Sequence, residues 1–126
     1  MATTSAAWFQ RVMWSGIIAN LALAVPSLLW PAQMQDLARL PPATPLVWVR
    51  FSSLLLILLS SFYVPAALDC RRHRTNAWLG TGGRLAGVIF FALQAREYWL
   101  FGAFDFVFFL PQVVLLMKIG RRAAGE

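Results

Sequence analysis

Arg84 stands in the middle of an apolar run, T-G-G-R-L-A-G-V-I-F-F from Thr81 to Phe91, with Gly80, Gly83 and Gly87 stacked on one helical face at spacings of three and four. A cation near the centre of a bilayer costs at least ~2.5 to 3.5 kcal/mol on insertion scales, so Arg84 requires partners. Asp105, Arg50, Asn20 and Gln112 are each set in an apolar stretch of their own and can supply them. Such a cluster has two uses. It is an interior ion pair that fixes helix order, or a charged recess that receives an anion, a lipid headgroup or a quinone, or passes a proton or ion. With two arginines and one aspartate the cluster carries one positive charge in excess, which carbonyls, water or an anionic ligand would meet.

Other reactive groups are sparse. Cys70 and His73 are the only cysteine and histidine, which excludes an intramolecular disulfide, a C-x-x-C relay and a haem held by two histidines of this chain. Neither a metal site nor an activated Cys70 nucleophile has enough partners in the sequence. No catalytic residue, metal or cofactor is expected.

The elements that position Arg84 follow from composition. Of 126 residues, 60% are hydrophobic and 13% charged, against roughly 25% charged in soluble domains, and the mean hydropathy is +0.64. One domain of all-α class is expected, a four-helix transmembrane bundle with spans at about 8–30, 46–68, 76–94 and 99–117, each near the ~20 residues that cross a bilayer. Arg11 ahead of an apolar run, then Ala22-Leu23-Ala24, has the form of a secretory signal; with Met1 kept, this segment is expected to remain as the first span. On it Gly16, Ala19, Asn20, Leu23 and Ser27 share a face. Pro31 ends the span, and Gln33 to Leu40 reads either as a short surface helix or as irregular loop. Thr44 as N-cap and Pro45 as first helical residue open the second span, Thr75 caps the third, and the brief turn Ala95 to Tyr98 makes the third and fourth antiparallel neighbours. Pro111 is expected to bend the fourth.

The net charge of +6 reports orientation rather than nucleic acid, since no soluble basic face carries phosphate contacts. Arg11, Arg71, Arg72, Arg74, Lys118, Arg121 and Arg122 flank span ends on one side, while the opposite connections hold Arg39 and Arg96, each near an acid. The positive-inside rule then puts both termini in the cytoplasm. The loop Asp69 to Arg74 is expected to be a solvated topology signal that also attracts anionic lipid. Counting from the outer face at 1.5 Å per residue, Arg50 and Asp105 lie roughly 6 to 9 Å deep and Arg84 and Asn20 roughly 15 Å, so a long arginine reaches Asp105.

Gly83 and Gly87 form a G-x-x-x-G pair, which with Gly80 and Gly16 serves packing within the bundle or a dimer face. Phe101, Phe104, Phe108 and Phe109 of the fourth span read as a surface for lipid or for a larger membrane partner.

The run Trp48-Val49-Arg50, then Tyr63 with Ala66-Ala67-Leu68-Asp69, then R-R-H-R at 71–74, G-R-L-A-G at 83–87 and Asp105 in the last span resembles the small four-span bacterial proteins of the DoxX-like kind. Arg11 does not match the arginine expected early in that family's first span. The resemblance implies either a small subunit of a membrane oxidoreductase or one of the many proteins of that family whose role is unknown. The expectation is therefore a non-catalytic subunit in a bacterial inner membrane, packed against larger subunits of a respiratory or other electron-transfer complex. The alternatives are a binder or carrier of a lipid, quinone or anion at the Arg/Asp cluster, and a self-associating homo-oligomer. The lipid bilayer is a partner in each case, and nucleic acid in none.

Overall fold

A computed structural model describes residues 4–41 and 45–125. Among these the chain is helical throughout, without a strand: α1 (Thr4–Leu29), α2 (Pro31–Leu37), α3 (Val47–Phe62), α4 (Val64–Leu68), α5 (Arg74–Ala92), a 3₁₀ turn (Arg96–Tyr98) and α6 (Trp99–Ala124). The helices α1 and α6 are long and apolar enough to cross a membrane. The second expected span is 16 residues of helix, broken at Tyr63 before the five-residue α4. The break follows from Pro65, which cannot donate to the Ser61 carbonyl; Asn76 Oδ1 instead accepts the Ala66 N–H at 3.2 Å. The third expected span has 19 residues as α5, with its hydropathy lowered by Arg74, Asn76, Thr81 and Arg84.

Helix boundaries follow local chemistry. Pro31 pushes Trp30 out of the helical region, to φ −132° and ψ 65°, and then serves as first residue of α2. The short helix after the first span is thus real but lies at Pro31–Leu37. It ends in a Schellman arrangement, with the Leu40 N–H on Gln35 O and the Arg39 N–H on Asp36 O. Arg39 takes the left-handed position at φ 57°, where glycine is the usual occupant. Thr44 lies outside the described residues, as do Pro42 and the side chain of Arg122; the helix after Pro45 starts at Val47. Thr75 is not a cap. His73 holds that position without a side-chain bond, and Arg74 begins the helix. Pro111 sits within a continuous α6.

The chain divides into two compact units, one comprising residues 1–16 with 63–126 and the other residues 17–62. In the first, α5 and α6 run antiparallel, as the short turn requires. Their register is fixed by Gly102 against Phe91, Asp105 against Arg84 and Gly87, Gln112 against Thr81, and Gly120 against Arg74. The start of α1 lies alongside α5 in the parallel sense: Ala6 and Gln10 meet Cys70, Met13 meets Gly80, and Gly16 meets Arg84. Phe9 and Met13 are its buried anchors. In the second unit the later part of α1 is tied to α3 by a hydrogen bond from Asn20 Nδ2 to Ser60 Oγ, 3.1 Å.

Candidate functional site

The site forms where α5, α6 and the first half of α1 meet. Arg84 is 5% exposed, and its Nη1 donates to Asp105 Oδ1 at 2.8 Å. Nη2 donates to the Gly16 carbonyl at 3.3 Å. Phe108 and Phe104 cover the guanidinium, with ring centroids 4.9 and 5.5 Å from Cζ, a cation–π geometry that gains strength away from water.

Glycine makes these approaches possible. A Cβ at Gly87 would run into the Asp105 carboxylate, meeting Oδ2 directly and Cγ at 2.9 Å, and one at Gly16 would lie 2.9 Å from Arg84 Nη2. At Gly80 it would meet Met13 Cε at 2.9 Å and the Tyr63 ring at 3.2 Å, and at Gly83 the Tyr63 hydroxyl at 2.9 Å. All four glycines thus seat other side chains of their own unit. Gly82, by contrast, has nothing within 4 Å of the position a Cβ would take.

Of the residues expected to form one cluster, Arg84, Asp105 and Gln112 belong to the first unit and Asn20 and Arg50 to the second. Arg84 and Asp105 are together. Gln112, fully buried, faces Thr81 one layer away: the Thr81 hydroxyl donates to the Ala77 carbonyl at 2.9 Å and lies 3.3 Å from Gln112 Oε1. Asn20 belongs to the second unit and bonds Ser60, whose own hydroxyl donates to Leu56 O; its Oδ1 is buried without a partner among the described residues. Arg50 is exposed on α3. Within the first unit Arg84 and Asp105 pair one cation with one anion.

Two further expectations change. Phe104 and Phe108 gain an inward role, since both half-buried rings lie over the guanidinium; Phe101 packs on Phe91 at 5.4 Å, and Phe109 is half-buried. The exposed side chains of α6 include Leu100, Phe106, Val107, Leu110, Val114 and Met117. Nor is Cys70 solvated with the rest of its loop. It is buried, with Sγ 3.6 Å from Gln10 Oε1 and 3.9 Å from Ala6 O, and burial, then the nearby Asp69 charge, raises its pKa. Asp69 Oδ1 turns the loop by accepting the N–H groups of Arg71 and Arg72.

Sequence reasoning missed Tyr63 and Thr81 as partners, and the Gly16 carbonyl. Phe108 was within reach: Asp105, Phe108 and Gln112 are three and four apart and so share one face. A backbone carbonyl gives no such signal.

Among the described residues no three His, Cys, Asp or Glu side chains gather as a metal would need. What the site can do is hold three helical segments in one register through a neutral, desolvated pair. Comparison with protein-family models, curated proteins and solved structures yields no match.

Proposed function

We propose that the chain is a small non-catalytic integral membrane protein that crosses a bacterial inner membrane four times, with both ends cytoplasmic, and packs as a subunit against a larger membrane complex. The observation that carries this reading is the inverted distribution of polarity. Only 17% of the apolar stretch of α6 is buried within the chain, whereas the core helix of a soluble protein of this size would be mostly covered. Large apolar side chains such as Ile18, Leu79, Leu93 and Leu100 are exposed, while Asn20, Thr81, Arg84 and Gln112 are buried. An apolar exterior with these polar groups turned inward suits lipid and partner helices, not water. The neutral Arg84–Asp105 pair, closed by the Gly16 carbonyl and two phenylalanine rings, favours a structural role over a carrier, because the pair itself leaves no charge over for an anion.

The DoxX-like pattern around Trp48 to Arg50 and Gly83 to Gly87 would make the larger assembly a respiratory or other electron-transfer complex. The test is purification of the tagged chain from its own membranes in mild detergent, read by mass spectrometry and by the visible spectrum. Stoichiometric larger subunits with haem or other pigment absorbance are the expected result. A colourless species containing this chain alone would overturn the subunit reading.

A further inference from the structure

The end of the first unit that carries the Asp69–Arg74 loop gathers charge from three parts of the chain. The Arg74 guanidinium reaches to 3.9 Å of a Cβ position at Gly120, which brings the start of α5 beside Lys118 and Arg121 of α6. Cys70, set against Ala6 and Gln10 of α1, brings the loop carrying Arg71 and Arg72 to the part of α1 that carries Arg11. All six cations are exposed, and among the described residues Asp69 is the acid that accompanies them. At the opposite end of α5 and α6, Arg96 stands next to Glu97 and stacks on Trp99. The charge is therefore one-ended.

Apolar side chains lie directly against this basic end. Trp8 is exposed beneath the Arg11 guanidinium, 5.2 Å from Cζ to ring centroid, and Trp78, one turn into α5, is exposed as well, as are Leu68, next to Asp69 in the chain, and Met117, next to Lys118. A soluble polyanion would meet cations alone. Phosphate above and acyl chain below is the pattern of a phospholipid, with tryptophan at the headgroup level and arginine stems lying along apolar surface. We infer that this basic end is a binding surface for anionic phospholipid headgroups of the cytoplasmic leaflet. The inference rests on the membrane reading above and adds the lipid class to it.

The experiment uses the full chain in nanodiscs of phosphatidylcholine with graded phosphatidylglycerol, counting lipids retained after mild extraction by native mass spectrometry. Retention of phosphatidylglycerol several-fold above its bulk fraction is expected. Raising salt from about 0.05 to 0.5 M should erode that preference, because surface charge is screened within ~10 Å at 0.1 M. Replacing Arg74 and Arg121 by Gln should lower it at least about threefold, with R96Q, at the other end, unchanged. Equal retention of both lipids by the unaltered chain would overturn the proposal, as would displacement of the lipid by inorganic phosphate at constant ionic strength. Should the neutralised variant fail to fold, the salt series on the unaltered chain decides. Recovery of the chain in the detergent-free soluble fraction would be a separate failure, that of the membrane reading.

Discussion

In the unit built on α5 and α6 a full positive charge is buried and its neighbours answer it: a carboxylate at 2.8 Å, a carbonyl at 3.3 Å and two aromatic faces. In the unit from Ile17 to Phe62 the buried polar group is neutral, and it is answered only in part. Asn20 donates to Ser60, but among the described residues its Oδ1 has no partner. The difference follows the cost of neglect. An uncompensated buried charge costs about 3 to 5 kcal/mol, an unsatisfied amide oxygen about 1 to 3. Strong constraint, glycines included, is therefore concentrated where the charge is.

The comparison can be broken by removing one side of each interaction. Asp105→Ala leaves Arg84 buried without its counter-ion and should cost about 3 to 5 kcal/mol, read from reversible unfolding of the purified chain in mixed micelles. Gly87→Ala keeps both charges but drives a methyl into the Asp105 carboxylate, and a loss of about 1 to 3 kcal/mol is expected in the same assay. Asn20→Leu, which deletes one weak bond together with an orphaned acceptor, should fall within about 1 kcal/mol of the parent. A larger loss would show that the second unit depends on its polar group as much as the first does.

Two smaller effects sharpen the picture away from the buried groups. Gly82→Ala, with open space around it, should gain about 0.5 to 1 kcal/mol from helix propensity, opposite in sign to its neighbour five residues on. Cys70 gives the weakest signal. Its raised pKa means that the folded chain holds the thiol proton more tightly than the unfolded one. The associated stability is present below the unfolded value near 8.5 and is lost as pH rises through the higher folded value. Alkylation at about pH 8 should accordingly be slow until denaturant is added.

Much of the first unit could be read from sequence because Arg84 and Asp105 are rare residues in apolar runs, and because Gly80, Gly83 and Gly87 recur at helical spacing. The short turn after α5 fixed their antiparallel pairing. What could not be read was which groups would answer the charge. Arg50 and Asn20 were reasonable partners on depth alone, yet depth says nothing about which side of a helix turns inward. The Gly16 carbonyl is invisible as a residue type, since every residue has one. Phe104 and Phe108 look like any apolar surface until the guanidinium is placed beneath them. The break at Tyr63 needed the loss of the Pro65 N–H to be weighed against an apolar run that otherwise favours one uninterrupted helix.

That Arg84 and Asp105 form a closed structural pair is tested most directly by a double-mutant cycle with Arg84→Met, Asp105→Leu and both together, followed by unfolding in micelles. Each single change should lose about 3 to 5 kcal/mol, while the double change should return to within about 1 kcal/mol of the parent, because the charges are then removed as a pair. A double variant that loses the sum of the two single effects would contradict the pairing.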